Sequence, residues 1–77
     1  MKGIEIRERH SLRNLENFKA AKSYTLVESI ATKRGTVWVT NSTRFKRGDI
    51  DGCIKAVDNF IASNKNTNHR WYVEINF

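Results

Sequence analysis

The apolar residues in the last third of the chain change period once, and that change fixes the class of fold. From Asp49 onward, Ile50, Ile54, Val57 and Ile61 recur at helical spacing, with Cys53 and Phe60 on the flanks of the same face. From residue 70, Trp71, Val73, Ile75 and Phe77 alternate with Tyr72, Glu74 and Asn76, the period of a half-buried strand. An amphipathic helix followed by an alternating strand needs a sheet to lie on, which predicts an α+β domain. Asp49 and Asp51 stand where the helix dipole favours negative charge. Gly52 weakens the first turn by about 1 kcal/mol relative to alanine. The polar run 63–68, SNKNTN, reads as the loop between helix and strand.

The first half supplies the rest of the sheet. Ile4 and Ile6 alternate with Glu5, Arg7 and Arg9, which predicts a strand over 3–9. Ser11 can cap a helix over 12–22, where Leu12, Leu15, Phe18 and Ala21 share one face. Residues 24–32 and 36–41 are rich in β-branched and aromatic side chains and predict two strands. Lys33-Arg34-Gly35 would be the hairpin turn, with Gly35 in the left-handed conformation. The order is βαββαβ, the ferredoxin-like split pattern: a four-stranded antiparallel sheet, two helices on one face and the other face open. The alternative is βαβαβ, in which the first helix runs on to Gly35. That extension would set Lys19 and Ser23 inside its apolar face.

A chain of 77 residues predicts a single domain, 1–77, too small for a deep enclosed catalytic site. Its one cysteine excludes an internal disulfide. No apolar run has the length of a signal peptide or a membrane span, so the expectation is a cytoplasmic protein without a membrane role. Catalysis has few candidates. Cys53 sits on a core-flanking helical position, and His10 and His69 lie just outside predicted elements. One cysteine and two separated histidines fall short of a zinc set, and no phosphate-binding glycine loop occurs. We expect no enzyme activity, no metal and no cofactor.

Binding is better supported. Fourteen Lys and Arg against eight Asp and Glu give a net charge of +6, which suits a polyanionic partner. The excess is clustered. Residues 32–48, TKRGTVWVTNSTRFKRG, hold Lys33 and Arg34 at one end, Arg44, Lys46 and Arg47 at the other, and no acid. With Val37 and Val39 turned into the core, Trp38 would face the open side of the sheet, and Arg44, Lys46 and Arg47 would lie in a loop beyond the strand. Tyr72 and Arg70, on the last strand, would join that open face.

Residues 34–39, RGTVWV, resemble the third-strand signature of RNA-recognition motif domains, in which a basic residue and a glycine precede stacking aromatics. Arg34, Gly35, Trp38 and Val39 match in register, whereas Thr36, Val37 and Asn41 depart from it. The resemblance implies a stacking role for Trp38. The expected function is therefore a small non-enzymatic nucleic-acid-binding protein. Its basic loops, with Lys33, Arg34, Arg44, Lys46, Arg47 and Arg70, would hold phosphates, and Trp38 and Tyr72 would meet bases. The alternative is a protein–protein module, similar in size and charge to the small inhibitors and adaptors that phages and mobile elements encode, or a homodimer formed through the open face.

Overall fold

A computed structural model describes residues 4–12 and 21–77. The elements are β1 (Ile4–Ile6), a 3-10 turn (Arg9–Leu12), β2 (Ser23–Ala31), β3 (Val37–Lys46), α1 (Ile50–Ser63) and β4 (His69–Asn76). The four strands form one antiparallel sheet in the order β1-β4-β2-β3. The α+β class and the four-stranded antiparallel sheet are therefore as expected. The βαβαβ alternative is excluded, because β2 and β3 form a hairpin where it needs one long helix.

The ferredoxin-like arrangement is met only in part. One α-helix is present among the described residues. The helix expected over 12–22 falls mainly on residues outside them; Leu12 belongs to the 3-10 turn, and Lys22 leads directly into β2. A ferredoxin-like sheet would centre on its first and third strands, whereas here β4 and β2 are central and β3 forms an edge.

The core explains the pairing. Tyr24 and Leu26 of β2 stand beside Ile75 and Val73 of β4, and all four are buried against Cys53, Ile54 and Val57 of α1. Leu12 and Ala21 complete that cluster. Each large apolar side chain buried in this way contributes about 1.5–3 kcal/mol. Beyond α1, Thr67 and Asn64 organise the loop through side-chain hydrogen bonds, and the His69 ring meets Phe60 edge-on at 6.3 Å.

β1 ends at Ile6, short of the strand expected over 3–9, and Arg9 begins the 3-10 turn. Two further details depart from the sequence reading. First, β3 runs to Lys46, well past the expected end at 41, because Thr43 and Phe45 pair with Leu26 and Tyr24. Second, the β2–β3 register shifts between Glu28 and Ser29, so Thr40 is an extra residue, a β-bulge. The Thr40 hydroxyl donates to the Glu28 carbonyl at 3.2 Å, and the Asn41 amide donates to the Glu28 carboxylate at 2.7 Å. A one-residue slip exchanges the faces of everything beyond it. Trp38 therefore pairs with Ile30 and lies on the side of α1, while Val37 and Val39 pair with Ala31 and Ser29 on the opposite side. Val37 and Val39 are not core residues; they are 58% and 62% exposed.

Asp49 caps α1, its carboxylate accepting from the Gly52 N–H at 3.2 Å. A Cβ on Gly52 would come within 2.6 Å of that carboxylate. The helix propensity gained in Gly52→Ala, about 1 kcal/mol, should be offset by the loss of a cap of similar worth. Urea titration should therefore find Gly52→Ala within the error of the parent. Ile75→Ala, at a fully buried position, should lose about 2–5 kcal/mol.

Candidate nucleic-acid interface

The sheet face away from α1 is not covered by any described helix. By register it presents Glu5 on β1; Arg70, Tyr72, Glu74 and Asn76 on β4; Ser23, Thr25 and Val27 on β2; and Ser42, Arg44 and Lys46 on β3. Its charge is divided. Glu5 and Glu74 face each other on the β1–β4 side, where Arg7 pairs with Glu5 at 3.2 Å. The β3 side carries cations and no carboxylate.

The cations gather at one corner, where the start of β2 meets the ends of β3 and β4. A shallow depression of about 770 Å³ is lined there by Lys22, Ser23, Arg44, Phe45, Lys46, Arg47 and Asn76. Pairing assembles it: Ser23 stands between Lys46 and Asn76, and the Lys22 N–H donates to the Asn76 carbonyl at 2.6 Å. The Asn76 amide is held by Ser23 and Thr25 at 3.1 Å each. None of the four cations is engaged in an ion pair among the described residues. Four positive side chains around neutral hydrogen-bonding groups offer the kind of donors that an anion with several charged oxygens accepts from.

A second depression, of about 530 Å³, lies further along the same face and is lined by Glu5, Arg7, Arg70, Tyr72, Ser29 and Val37, among others. The Arg7 guanidinium lies 5.7 Å from the centre of the Tyr72 ring, so that face of the ring already has a cationic partner. Partial desolvation, with Glu74 and Glu5 nearby, raises the Tyr72 phenol above its usual range against the opposing pull of Arg7. It remains a hydrogen-bond donor at neutral pH.

The expected site residues thus fall into three groups. Arg44, Lys46 and Arg47 come together, but Arg44 and Lys46 are strand residues rather than loop residues. Arg70 and Tyr72 share the second depression. Lys33 and Arg34 sit in the hairpin turn at the far end of β3, which at ten residues is about 34 Å long. They belong to neither depression. Gly35 takes a positive φ of 82° there, as expected. Trp38 is 62% exposed, but not on the open face where the likeness to RNA-recognition motifs would place a stacking ring.

Lys22 was missed, although a signal existed. Counting back from the Gly35 turn through an antiparallel hairpin brings the start of β2 beside residues 46 and 47.

No family model, curated protein or solved structure matches this chain, so no relative bears on the choice of partner. Among the described residues no cluster of His, Cys, Asp and Glu could hold a metal ion, and no helix is long and apolar enough to cross a membrane. Cys53 is buried, and desolvation, with a smaller contribution from Asp49, pushes its thiol from 9.0 up to about 11. A group with a raised folded-state value loses its stabilising contribution as pH climbs from the unfolded value through the folded one. Relative to Cys53→Ala, the parent should therefore lose stability between about pH 9 and 11. At pH 8 a disulfide reagent such as DTNB should label native Cys53 far more slowly than the urea-unfolded chain; rapid native labelling would contradict a buried thiol.

Proposed function

We propose that the protein binds nucleic acid without transforming it, and that the Lys22–Arg44–Lys46–Arg47 depression holds the phosphates. The observation that carries this reading is four unpaired cations around Ser23 and Asn76 with no carboxylate in the lining. Phosphate contacts provide most of the affinity in sequence-independent binding, and a depression this shallow suits a backbone running across it better than a single enclosed ligand. Backbone phosphates repeat about every 3.4 Å along a strand, so a corner holding four cations spans several of them.

The open face extends the track. Arg70 and the Tyr72 hydroxyl lie further along it, in line with Ser29, and the distance from Ser23 to Ser29 along β2 is about 20 Å. Glu5 and Glu74 repel a polyanion from the β1 side, which keeps the path over β2, beside Arg70 and Tyr72. In this reading Trp38, Lys33 and Arg34 lie away from the phosphate contacts. The buried, weakly acidic Cys53 argues against a thiol nucleophile at that position.

Fluorescence anisotropy with labelled DNA and RNA oligonucleotides tests the reading. If about four phosphates are neutralised, affinity for duplex DNA should fall on the order of a hundredfold between about 50 and 200 mM salt. Changing Arg44, Lys46 and Arg47 together to Ala should weaken binding at least about tenfold and flatten the salt slope by about 3. Lys22→Ala should act in the same direction. Affinity that is weak at low salt, or indifferent to these changes, would sink the proposal.

A further inference from the structure

The exposed edge of β3 is left unused by the phosphate reading. Residues 35–43, GTVWVTNST, carry no charge, and Val37, Trp38 and Val39 are each more than half exposed. β3 has β2 on one side and, among the described residues, no strand on the other, so its outer backbone groups have no ladder partner there. Natural edges are usually blunted by proline, inward-pointing charge or shortness. This one is ten residues long, lacks proline, and is charged only toward one end, at Arg44 and Lys46. The Thr40 bulge adds twist but leaves the apolar strip open. Strand alternation distributes that strip over both faces, and the bulge decides which, Trp38 to one side and Val37 and Val39 to the other.

We infer that the β3 edge takes an extended segment of a partner protein as an added strand, and that this segment is apolar in its middle and acidic at both ends. The unpaired backbone would supply the main-chain bonds of strand addition, and side chains on alternate faces of the incoming strand would meet Trp38 or the two valines. Charge selects the ends. Lys33 and Arg34 flank one end of the neutral strip and Arg44 and Lys46 the other, so acidic flanks are attracted at both. A second copy fits less well. Antiparallel pairing along β3 would bring the Arg44–Lys46 end of one copy beside the Lys33–Arg34 turn of the other, cation against cation. This inference shares Arg44 and Lys46 with the phosphate reading and differs from it in resting on the neutral strip of β3, so changes at Lys22 and at the strip separate the two.

The test uses a fluorescein-labelled synthetic peptide, Asp-Glu-Thr-Val-Thr-Val-Thr-Val-Glu-Asp, and the same peptide with Lys at its four end positions. The acidic peptide should bind in the micromolar range and the Lys-flanked peptide at least about tenfold more weakly. A Trp38→Ser, Val39→Ser double variant, altered at exposed positions that line neither depression, should lose the peptide at least about tenfold while keeping oligonucleotide affinity unchanged. Lys22→Ala should weaken the oligonucleotide and spare the peptide. Three results would overturn the inference: equal binding of the two peptides, peptide binding indifferent to the double variant, or loss of oligonucleotide binding in that variant. Sedimentation equilibrium supplies a fourth, because a concentration-dependent dimer abolished by the double variant would assign the edge to a second copy.

Discussion

Among the described residues a single helix, α1, lies on four strands, and it cannot cover them all. A helix with its side chains is about 10–12 Å wide, and strands lie about 4.8 Å apart, so α1 shields the strands nearest the core and leaves an edge bare. Its buried face, Cys53, Ile54, Val57 and Phe60, closes over Tyr24, Leu26, Val73 and Ile75. The N-terminal half of β3 lies outside that cover. Consequently a tryptophan on the helix side of the sheet can still be mostly exposed, and β3 can offer both a cationic end and an apolar edge.

The central position of β2 does the rest. It pairs with β3 on one side and β4 on the other, so its first residue gathers the ends of two neighbouring strands. Cations that are far apart in the chain, Lys22 and the 44–47 group, become neighbours, with no ion pair to any of them among the described residues. Keeping unpaired like charges together has an electrostatic cost. A bound polyanion relieves that cost, and this is the physical reason for reading the corner as a site.

The helix and the last strand were legible because the period of their apolar residues is unambiguous: α1 begins at Ile50 behind its Asp49 cap, and β4 alternates as expected. The hairpin was legible from Gly35. The length of β3 was not, because Asn41 and Ser42 look like breakers. In the fold Asn41 uses its side chain on Glu28 and on the Ser42 N–H, bracing the bulge. The bulge itself leaves no mark in the alternation Val-Trp-Val, so the sequence put the valines inward and the tryptophan on the open face. Arg44, Lys46 and Arg47 were found by composition alone. Lys22 and Asn76 needed the long-range register, which no local pattern carries.

A ¹⁵N-correlation NMR titration of the protein with a short DNA or RNA strand shows directly where a polyanion sits. Binding at the corner should shift the signals of Lys22, Ser23, Arg44–Arg47 and Asn76, fade as salt is raised, and leave the Trp38 indole signal in place. Shifts centred on Lys33, Arg34 and Trp38, or spread without a focus, would contradict it.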